Sequence, residues 1–488
     1  MSYPGVDYDV AAWQLLSPAD YVNPQPQPGY HLVVVGAGPA GLISAIGAAG
    51  LGAKVALVER HRMGGDCLNV GCMPSKSLLA FTEHAKNPDF DQAFAWLRQV
   101  RAEIAPHDSV ERYTAAGVDV FLGDGVFNES GHVCVGGAVL KGRRVAICTG
   151  ARAAVPPIPG LRESDPLTNE TVFDLREKPQ SLAILGAGAI GCELAQAFAR
   201  LGVRVELFDL ADRVLPNENR LASVTLAQAL AADGVSLNLG SAVQEVVGSG
   251  RIVTEQGSVE CDRVLVALGR QPNTEGMNLS AASVQIDERG FIVSDAKLRT
   301  TNKKIFAAGD CTATLQFTHH ADAQARALIQ NALFLPTAKI DALVIPHCTY
   351  TRPEVASVGL SQEQLQASGT PYDEYEFYFD ELDRTKAMQF PDDMARAAKG
   401  YVQVFTVQGK DKILGAAIVG ADAGELLAPI CLLMTQNLGL SAAQRTVFSY
   451  PTRSEYLKRL GDAYNRNRMT PAVARVFQRW LALIQPKR

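Results

Sequence analysis

The chain has 488 residues, which is too many for one ordinary hydrophobic core, so roughly two to four domains are expected. Apolar residues make up 47% and charged residues 20% of it, which is typical of a folded globular protein and excludes a disordered or fibrous chain. The formal net charge of −5, with no basic block, argues against nucleic acid as a partner.

Residues 1–29 are predicted to form a leader and linker. Val10–Leu16 has the length of a short helix, and Pro24–Gly29 alternates proline with glutamine as a stiff linker. We expect surface packing from this segment and assign no chemistry to it. No signal peptide is visible, and the apolar stretch 32–58 is broken by glycines, Pro39 and Lys54, so no transmembrane segment is predicted. The expected location is the cytoplasm.

A dinucleotide-binding βαβ unit is predicted to follow the linker. Leu32–Val35 is a continuous apolar run, typical of a parallel strand that is buried on both faces. The next residues open a helix whose N-terminus suits a pyrophosphate, and they carry three glycines, Gly36, Gly38 and Gly41. The second strand ends at Glu59, at the spacing where an acid holds a ribose hydroxyl.

Two cysteines stand five residues apart in the stretch that comes next. Taken alone, Cys67 and Cys72 are compatible with a structural disulfide, a metal half-site or coincidence. From Gly64 to Lys76, however, the sequence GGDCLNVGCMPSK matches the pattern GGxCxNxGCxPSK at every fixed position. Together with the glycine-rich unit before it, this stretch resembles the class I pyridine nucleotide–disulfide oxidoreductases, the flavoenzyme family of glutathione reductase, dihydrolipoamide dehydrogenase and mercuric reductase. The resemblance implies that the cysteine pair is redox-active.

The βαβ unit recurs later in the chain. The second copy has the glycines Gly186, Gly188 and Gly191 and ends its second strand at Asp209, with the same interval from first glycine to acid as in the first copy. Two dinucleotides are therefore predicted, the second of them the nicotinamide cofactor. An acid at this position accepts from a free 2′-hydroxyl and repels a 2′-phosphate, which favours NADH over NADPH. Arg213 lies close enough in sequence to oppose that preference.

Other family motifs extend the resemblance to roughly residues 30–485. In the family the first unit binds FAD, and the further cofactor contacts that the resemblance implies are Gly65, Lys76, Thr149, Gly150, Gly269, Gly309, Asp310, Phe317 and His319. Asp310 would bind the ribityl chain, and the helix after Phe317 would face the flavin ring. For the adjacent His320, an ordinary capping or surface role is expected.

The predicted fold is α/β, with two Rossmann-like dinucleotide-binding domains and a C-terminal α+β dimerisation domain. The segments are 30–178 and 299–343 for FAD, 179–298 for NAD(P), 344–468 for dimerisation and 469–488 for a C-terminal amphipathic helix. That helix carries one apolar face, formed by Val473, Val476, Phe477, Trp480, Leu481 and Ile484. Packing on a homodimer and contact with a membrane interface are both open for it.

By resemblance, Cys72 is the thiolate next to the flavin and Cys67 the thiol that exchanges with substrate. Lys76 and Glu193 match the family's ion pair beside the flavin, and no resident metal is predicted. Disulfide reductases of this family carry a His–Glu pair on HPTxxE, contributed by the partner subunit. Here Tyr450 replaces the histidine and Glu455 is kept, and all eight histidines lie at or before position 347.

This replacement determines the functional prediction. Tyrosine, with a pKa of roughly 10, is a poor acceptor of a thiol proton. Mercuric reductases carry tyrosine at this place, so we expect a mercuric reductase-like enzyme in which NAD(P)H and FAD reduce a thiol-linked soft metal through Cys67 and Cys72. The chain lacks a vicinal cysteine pair after Cys431 and a GMTCxxC domain, both of which mercuric reductase proper has. A dihydrolipoamide dehydrogenase or other disulfide reductase is the alternative, and a redox sensor with little turnover is a further one.

Overall fold

The computed structural model describes residues 7–388 and 400–485. Parts of three predicted segments lie outside the described residues, namely 1–6 of the leader, 389–399 of the dimerisation segment and 486–488 of the C-terminal helix. Contacts divide the chain into two compact units. The first comprises the described residues of Met1–Asp212 and Asp233–Leu343, and the second those of Arg213–Ala232 and Val344–Arg488. Residues 213–232, inside the predicted NAD(P) segment, group with the second unit.

The helices are α1 (Tyr8–Leu16), α2 (Pro39–Gly50), α3 (Gly65–Asn69), α4 (Cys72–His84), α5 (Phe90–Ile104), α6 (Val110–Ala115), α7 (Ala189–Arg200), α8 (Arg220–Ala232), α9 (Thr318–Leu333), α10 (Gln362–Ala367), α11 (Asp383–Met388), α12 (Ala423–Thr435), α13 (Leu440–Arg445), α14 (Glu455–Asn467) and α15 (Pro471–Leu483). Short 3₁₀ turns occupy Ala105–Asp108, Val172–Asp174 and Phe379–Glu381. No helix among the described residues is both long and apolar enough to cross a membrane.

The strands are β1 (Tyr30–Val35), β2 (Val55–Glu59), β3 (Val118–Leu122), β4 (Val126–Phe127), β5 (Val133–Val135), β6 (Ala138–Leu140), β7 (Gly142–Ile147), β8 (Ala151–Ala153), β9 (Ser181–Leu185), β10 (Arg204–Asp209), β11 (Ser236–Leu239), β12 (Val243–Val247), β13 (Arg251–Thr254), β14 (Gly257–Glu260), β15 (Arg263–Val266), β16 (Arg270–Pro272), β17 (Ile305–Ala307), β18 (Pro346–Thr349), β19 (Glu354–Gly359), β20 (Tyr372–Tyr378), β21 (Tyr401–Val407) and β22 (Ile413–Gly420).

Two parallel sheets organise the first unit. One has the order β17-β7-β1-β2-β3 and the other the order β11-β10-β9-β15, and all neighbouring strands in both run parallel. In each sheet the first strand, β1 or β9, lies inside the sheet. The next strands in sequence are added on one side of it and the later ones on the other side. Ligands of such sheets bind where the order reverses, beyond the carboxyl ends of the strands. The glycine-rich turns after β1 and β9 lie at these points, and the predicted α/β class is confirmed.

The leader contributes to the core of the first unit. Ala12 and Leu16 of α1 are fully buried in the same apolar cluster as Leu32 and Val34 of β1. The Leu16 carbonyl accepts from the Met63 amide at 3.1 Å, which connects the leader to the segment before the cysteines. We expected the leader to pack on the surface. Instead α1 contributes two fully buried side chains to the core.

The second unit is built on an antiparallel sheet of order β18-β19-β22-β21-β20. Helices α12, α13 and α14 contribute to its core, in which Leu427, Leu440, Tyr456 and Leu457 are almost fully buried. Helix α15 follows α14 and begins at a Thr470 cap with Pro471 in the first turn, but none of its own residues is buried. The unit thus has a closed core and one helix that contributes nothing to it.

Candidate active site

The two glycine-rich turns have nearly identical geometry. Gly36 and Gly186 have φ of +102° and +110°, and a Cβ on either would lie 2.3 Å from a backbone oxygen. A Cβ on Gly41 or Gly191 would lie 1.7 or 1.8 Å from the carbonyl oxygen of that first glycine. Only glycine is compatible with such contacts. The sequence repeat therefore folds as a structural repeat, and both turns leave backbone amides at a helix N-terminus.

The two acids after these turns also make matching contacts. The Glu59 carboxylate accepts from the Ala37 and His61 amides, both at 2.7 Å. The Asp209 carboxylate accepts from the Ala187 amide at 2.6 Å and from the amide two residues after itself at 2.8 Å. Burial raises the pKa of Glu59, and the two amide contacts oppose that rise. Each carboxylate keeps acceptor capacity for a ribose hydroxyl.

A cavity of about 340 Å³ opens beside the first turn. Gly36, Glu59 and Thr149 are among its lining residues, together with Asn273 from the turn that follows β16. The volume falls within the range of small-molecule sites. Because the glycine turn, the predicted ribose-binding acid Glu59 and Thr149 meet at one cavity, the residues present fit the adenosine end of FAD.

The cysteine pair lies on two short helical segments. Cys67 is in the middle of α3, and Cys72 is the first residue of α4, where a thirteen-residue helix stabilises negative charge. The Cys72 sulfur lies 3.4 Å from the Thr318 hydroxyl, at the first residue of α9. Both cysteines are free thiols in this structure.

The two thiols differ in acidity. The pKa of Cys72 is lowered to about 6, chiefly by a hydrogen bond from Cys67. Burial raises this pKa, whereas a hydrogen bond from Thr318 and the positive charge of Lys76 lower it. The same hydrogen bond to Cys72, together with burial, raises the pKa of Cys67 well above its ordinary value. The thiolate is therefore favoured on Cys72 and the thiol on Cys67, whereas the roles of the two cysteines toward flavin and substrate stay predictions.

Lys76 and Glu193 form an ion pair beside the cysteines. The Lys76 ammonium lies 2.8 and 3.0 Å from the two carboxylate oxygens of Glu193. The Glu193 side chain, on α7, is only 4% exposed, whereas that of Lys76 is 31% exposed. Because α4 supplies the lysine and α7 the glutamate, this pair connects the cysteine segment to the second βαβ unit.

The predicted ribityl-binding aspartate is held by an arginine that follows Gly269. Arg270 Nε lies 3.5 Å from Asp310, and the same guanidinium pairs with Asp66, the residue before Cys67. Burial raises the pKa of Asp310, and Arg270 opposes that rise. The arginine thus joins the cysteine segment to the Gly309–Asp310 turn, a connection that the sequence motifs did not predict.

The N-terminus of α9 contains the predicted Phe317 and His319, whose rings stack at 5.3 Å. A capping or surface role was expected for His320. The residue is 5% exposed, so the surface role is wrong. Its Nδ1 contacts the Leu315 carbonyl at 2.8 Å, and its Nε2 contacts Gln324. Gln324 in turn accepts from the Gly309 amide at 2.6 Å. His320 therefore contacts Gln324, and Gln324 contacts the Gly309 amide, so the histidine supports the turn before Asp310.

A buried charge cluster in the leader was missed from the sequence. Asp9 of α1 is paired with three arginines, Arg98, Arg101 and Arg176. The Arg101 side chain is 1% exposed, and it also donates to the Asn69 carbonyl, at the end of α3, at 2.9 Å. No sequence pattern indicates which residues an acid in a short leader will pair with. Asn69, which accepts from Arg101, is nevertheless a fixed position of the cysteine motif.

The predicted Tyr450 and Glu455 lie in the second unit. The Tyr450 side chain is 69% exposed, and its hydroxyl donates to Asp383 at 2.9 Å. This hydrogen bond to a carboxylate raises the pKa of Tyr450. Glu455 begins α14, and its amide contacts the Thr452 carbonyl at 3.5 Å. Within one chain the tyrosine is therefore paired with Asp383 and not with the glutamate of the motif.

Among the described residues, no group of three or more histidine, cysteine, aspartate or glutamate side chains could hold a metal ion. The arrangement instead combines a low-pKa thiolate, a second thiol, an ion pair and two nucleotide-binding turns. Such a set can move two electrons between a dinucleotide cofactor and a dithiol.

Comparison with known proteins gives the same interpretation. Residues 30–325 match the family model described as pyridine nucleotide-disulphide oxidoreductase, and residues 345–460 match its dimerisation domain, which supports a homodimer. A mercuric reductase from Staphylococcus aureus is 32% identical over 455 residues, covering 88% of this chain and 81% of that protein. A dihydrolipoyl dehydrogenase from Chlamydia muridarum is 34% identical over 448 residues, covering 87% of this chain and 95% of that protein.

Among solved structures, the HOCl-induced flavoprotein disulfide reductase RclA from Escherichia coli superposes with a TM-score of 0.80 at 29% identity. The match covers 89% of this chain and 99% of that one. A Cu(II) complex of the same protein matches with the same TM-score at 28% identity. The chain therefore belongs to the pyridine nucleotide-disulphide oxidoreductases, a family of flavin-dependent enzymes.

Proposed function

We propose that the chain is a cytoplasmic, homodimeric, NADH-dependent flavoprotein that passes electrons through Cys67 and Cys72 to a thiol-bound soft metal ion. The observation that carries the proposal is Tyr450. It stands where a disulfide reductase of this resemblance has a histidine, and its hydroxyl donates to the Asp383 carboxylate.

A disulfide substrate requires a group that accepts and returns the proton of the exchanging thiol, Cys67. The ordinary pKa of tyrosine is already roughly 10, and Asp383 raises the pKa of Tyr450 further. The phenol consequently stays protonated at neutral pH and cannot act as that base. When a metal dithiolate exchanges one of its ligands for Cys67, the proton of the Cys67 thiol can pass to the thiolate that leaves the metal, so no separate base is needed at this position. A phenol oxygen can also contact the ion.

The residues proposed to hold FAD are those of the first turn, its acid and the second motif, namely Gly36, Gly38, Gly41, Glu59, Thr149 and Asp310. When bound, FAD accepts a hydride from the nicotinamide and supplies two electrons to the neighbouring sulfur. The positive charge of Lys76 favours the thiolate of Cys72, whereas the negative charge of Glu193, which holds the lysine at 2.8 Å, opposes it. The net reaction consumes NADH, one proton and a metal dithiolate such as Hg(SR)₂, and yields NAD⁺, Hg(0) and two thiols.

The preference for NADH rests on two residues. Asp209 presents a carboxylate at the end of β10 that would accept from a 2′-hydroxyl and repel a 2′-phosphate. The Arg213 guanidinium, which could have favoured a phosphate, donates to the Pro216 carbonyl at 2.8 Å and to the Glu218 carbonyl at 3.3 Å. These contacts hold the arginine to its own turn and support NADH.

The relatives favour two acceptor classes. The mercuric reductase matches and the Cu(II) complex of the RclA protein support a soft or thiophilic metal. The dihydrolipoyl dehydrogenase matches, of similar identity and fuller coverage, keep lipoamide as the second candidate. Tyr450 is the feature that favours the first class over the second.

The test is anaerobic NADH oxidation by the holoenzyme with thiol-bound Hg(II), Cu(II) without added thiol, lipoamide and glutathione disulfide as acceptors. We expect metal-dependent turnover and little disulfide turnover. Tyr450→His should raise lipoamide turnover, by about 10²-fold or more if proton transfer is what is lacking. Tyr450→Phe, which keeps the ring but cannot donate to Asp383, is the matched control and should leave disulfide turnover low.

Three outcomes would contradict the proposal. Efficient lipoamide turnover by the unmodified enzyme would make the chain a dihydrolipoamide dehydrogenase with an unusual base. Equal gains from histidine and phenylalanine at position 450 would show that ring packing, not proton transfer, limits the reaction. Reduction of the dithiol centre without sustained turnover on any acceptor would indicate a redox sensor.

A further inference from the structure

Helix α15 presents an apolar face that no part of the described chain covers. Its side chains at i, i+3, i+4, i+7 and i+11 lie on one side of the helix, which therefore carries Val473, Val476, Phe477, Trp480 and Ile484. Val476 is 65%, Trp480 60% and Phe477 52% exposed. We call this set the apolar face. Aromatic side chains exposed to this extent mark a surface that another body covers.

The charged side chains on the opposite side of the helix are both arginines. Arg475 and Arg479, four residues apart, point away from the apolar face. From residue 463 to 485 the chain has four arginines and no acid, and the sequence continues with Lys487 and Arg488. This segment thus has the opposite sign to the chain as a whole, whose net charge is −5.

The start of the helix is fixed by its own residues, and its length limits what it can do at a membrane. The Thr470 side chain accepts from the Val473 amide at 3.4 Å, and Pro471 occupies the first turn. Thirteen residues make a rod of about 20 Å, well short of the roughly 30 Å core of a bilayer. A helix of this length can lie along a membrane but cannot cross one.

We propose that α15 binds an anionic lipid surface. The apolar face enters the boundary between headgroups and acyl chains, and the arginines contact lipid phosphates. Tryptophan, phenylalanine and branched side chains on one face with arginine on the other are the features of an interfacial helix. A second copy of the chain fits less well as the occupant, because packing two apolar faces together would leave Arg475 and Arg479, on the opposite side, without an anionic partner. The headgroups of an anionic lipid surface supply both an apolar boundary and phosphates to one helix. The dimerisation model also ends at residue 460, before the helix begins.

Dimerisation makes weak binding by each helix sufficient. A homodimer carries two copies of α15, and two weak anchors on one body bind far more tightly than either alone. The proposal adds a location to the proposed function and does not depend on the identity of the acceptor.

The test uses the full-length holoenzyme and vesicles of phosphatidylcholine, alone or with one third phosphatidylglycerol. We expect sedimentation with the anionic vesicles, release by added salt, and little binding to phosphatidylcholine alone. The double variant R475Q/R479Q should bind the anionic vesicles about 30-fold less tightly per helix, given the contribution of each arginine near such a surface. R384Q/K386Q, which removes two exposed cations from α11, is the control of equal charge and should bind normally.

Tryptophan emission gives a reading from the helix itself. Binding should shift the emission to shorter wavelength, and Trp480→Phe should abolish the shift while keeping binding. Since no residue of α15 is buried, these variants disturb no core packing. Equal binding by R475Q/R479Q and R384Q/K386Q, or no binding to anionic vesicles, would overturn the proposal. A monomeric F477S/W480S variant, where the unmodified chain is dimeric, would also overturn it and make the face an interface between copies.

Discussion

Replacement of Thr318 by valine removes a hydrogen-bond partner of Cys72 and nearly preserves the shape of the side chain. The pKa of Cys72 is about 6 against an ordinary 9.0, so its neighbours together favour the thiolate by about 4 kcal/mol. Hydrogen bonds to charged groups contribute about 1.5–3 kcal/mol, and a contact of 3.4 Å to sulfur belongs at the lower end. We therefore expect Thr318→Val to raise the pKa of Cys72 from about 6 to about 7.

The assay is an anaerobic pH titration of the two-electron-reduced holoenzyme, in which the cysteines are reduced and the flavin is oxidised. It is followed by the long-wavelength absorbance of a thiolate beside an oxidised flavin. Because the pKa of Cys72 is lowered, the thiolate is present above about pH 6 and is lost as the pH falls through that value. The variant should lose the absorbance earlier on acidification. Thr82→Val serves as the control. It makes the same substitution on α4, the helix that begins with Cys72, at a hydroxyl that donates to the Leu79 carbonyl. An unchanged midpoint in Thr318→Val, or equal displacement in both variants, would refute the reasoning.

Lys76→Met should also raise the pKa of Cys72, because a positive charge is lost, and the same titration measures this effect. Asp209→Ala should reduce the ratio of kcat/KM for NADH to that for NADPH by about tenfold, since one charged hydrogen-bond acceptor is lost. Asp9→Asn should lower the melting temperature by about 5 °C, because it leaves the buried Arg101 with only Asp174, at 3.9 Å, as an ion-pair partner.

Matched variants separate these effects from general damage. Lys86→Met removes an exposed lysine just after α4 and should leave the thiolate titration unchanged. Asp7→Asn keeps a capping side chain at the start of α1 and should lower the melting temperature far less than Asp9→Asn. A wild-type preference for NADPH would refute the role given to Asp209, whatever its alanine variant does.

Motifs with a strict backbone requirement were the predictable part of the fold. The turns at Gly36 and Gly186 could be located from sequence because their φ values and close contacts admit only glycine. The buried parallel strands followed from continuous apolar runs such as residues 32–35. The Lys76–Glu193 contact followed from the resemblance, and the structure brings the two side chains to 2.8 Å.

The contacts that could not be predicted join residues far apart in sequence without a local pattern. Asp9 and Arg176 are 167 positions apart, and the Arg270 pair with Asp66 spans 204. For His320 the sequence predicted a capping or surface role, whereas the residue is buried and contacts Gln324 one turn later, which in turn accepts from the Gly309 amide. Partners of this kind are determined by the three-dimensional packing and leave no periodicity to read.

The leader has a practical consequence for work with this chain. The family similarity begins at residue 30, so trimming a gene to the matched segment would delete α1. Such a protein would lose Ala12 and Leu16 from its core and the carboxylate that neutralises Arg98 and Arg101. The end of sequence similarity is therefore not the end of the folding unit. Any chimera that borrows this flavin domain should carry residues 7–29 with it, or replace the two arginines by apolar side chains.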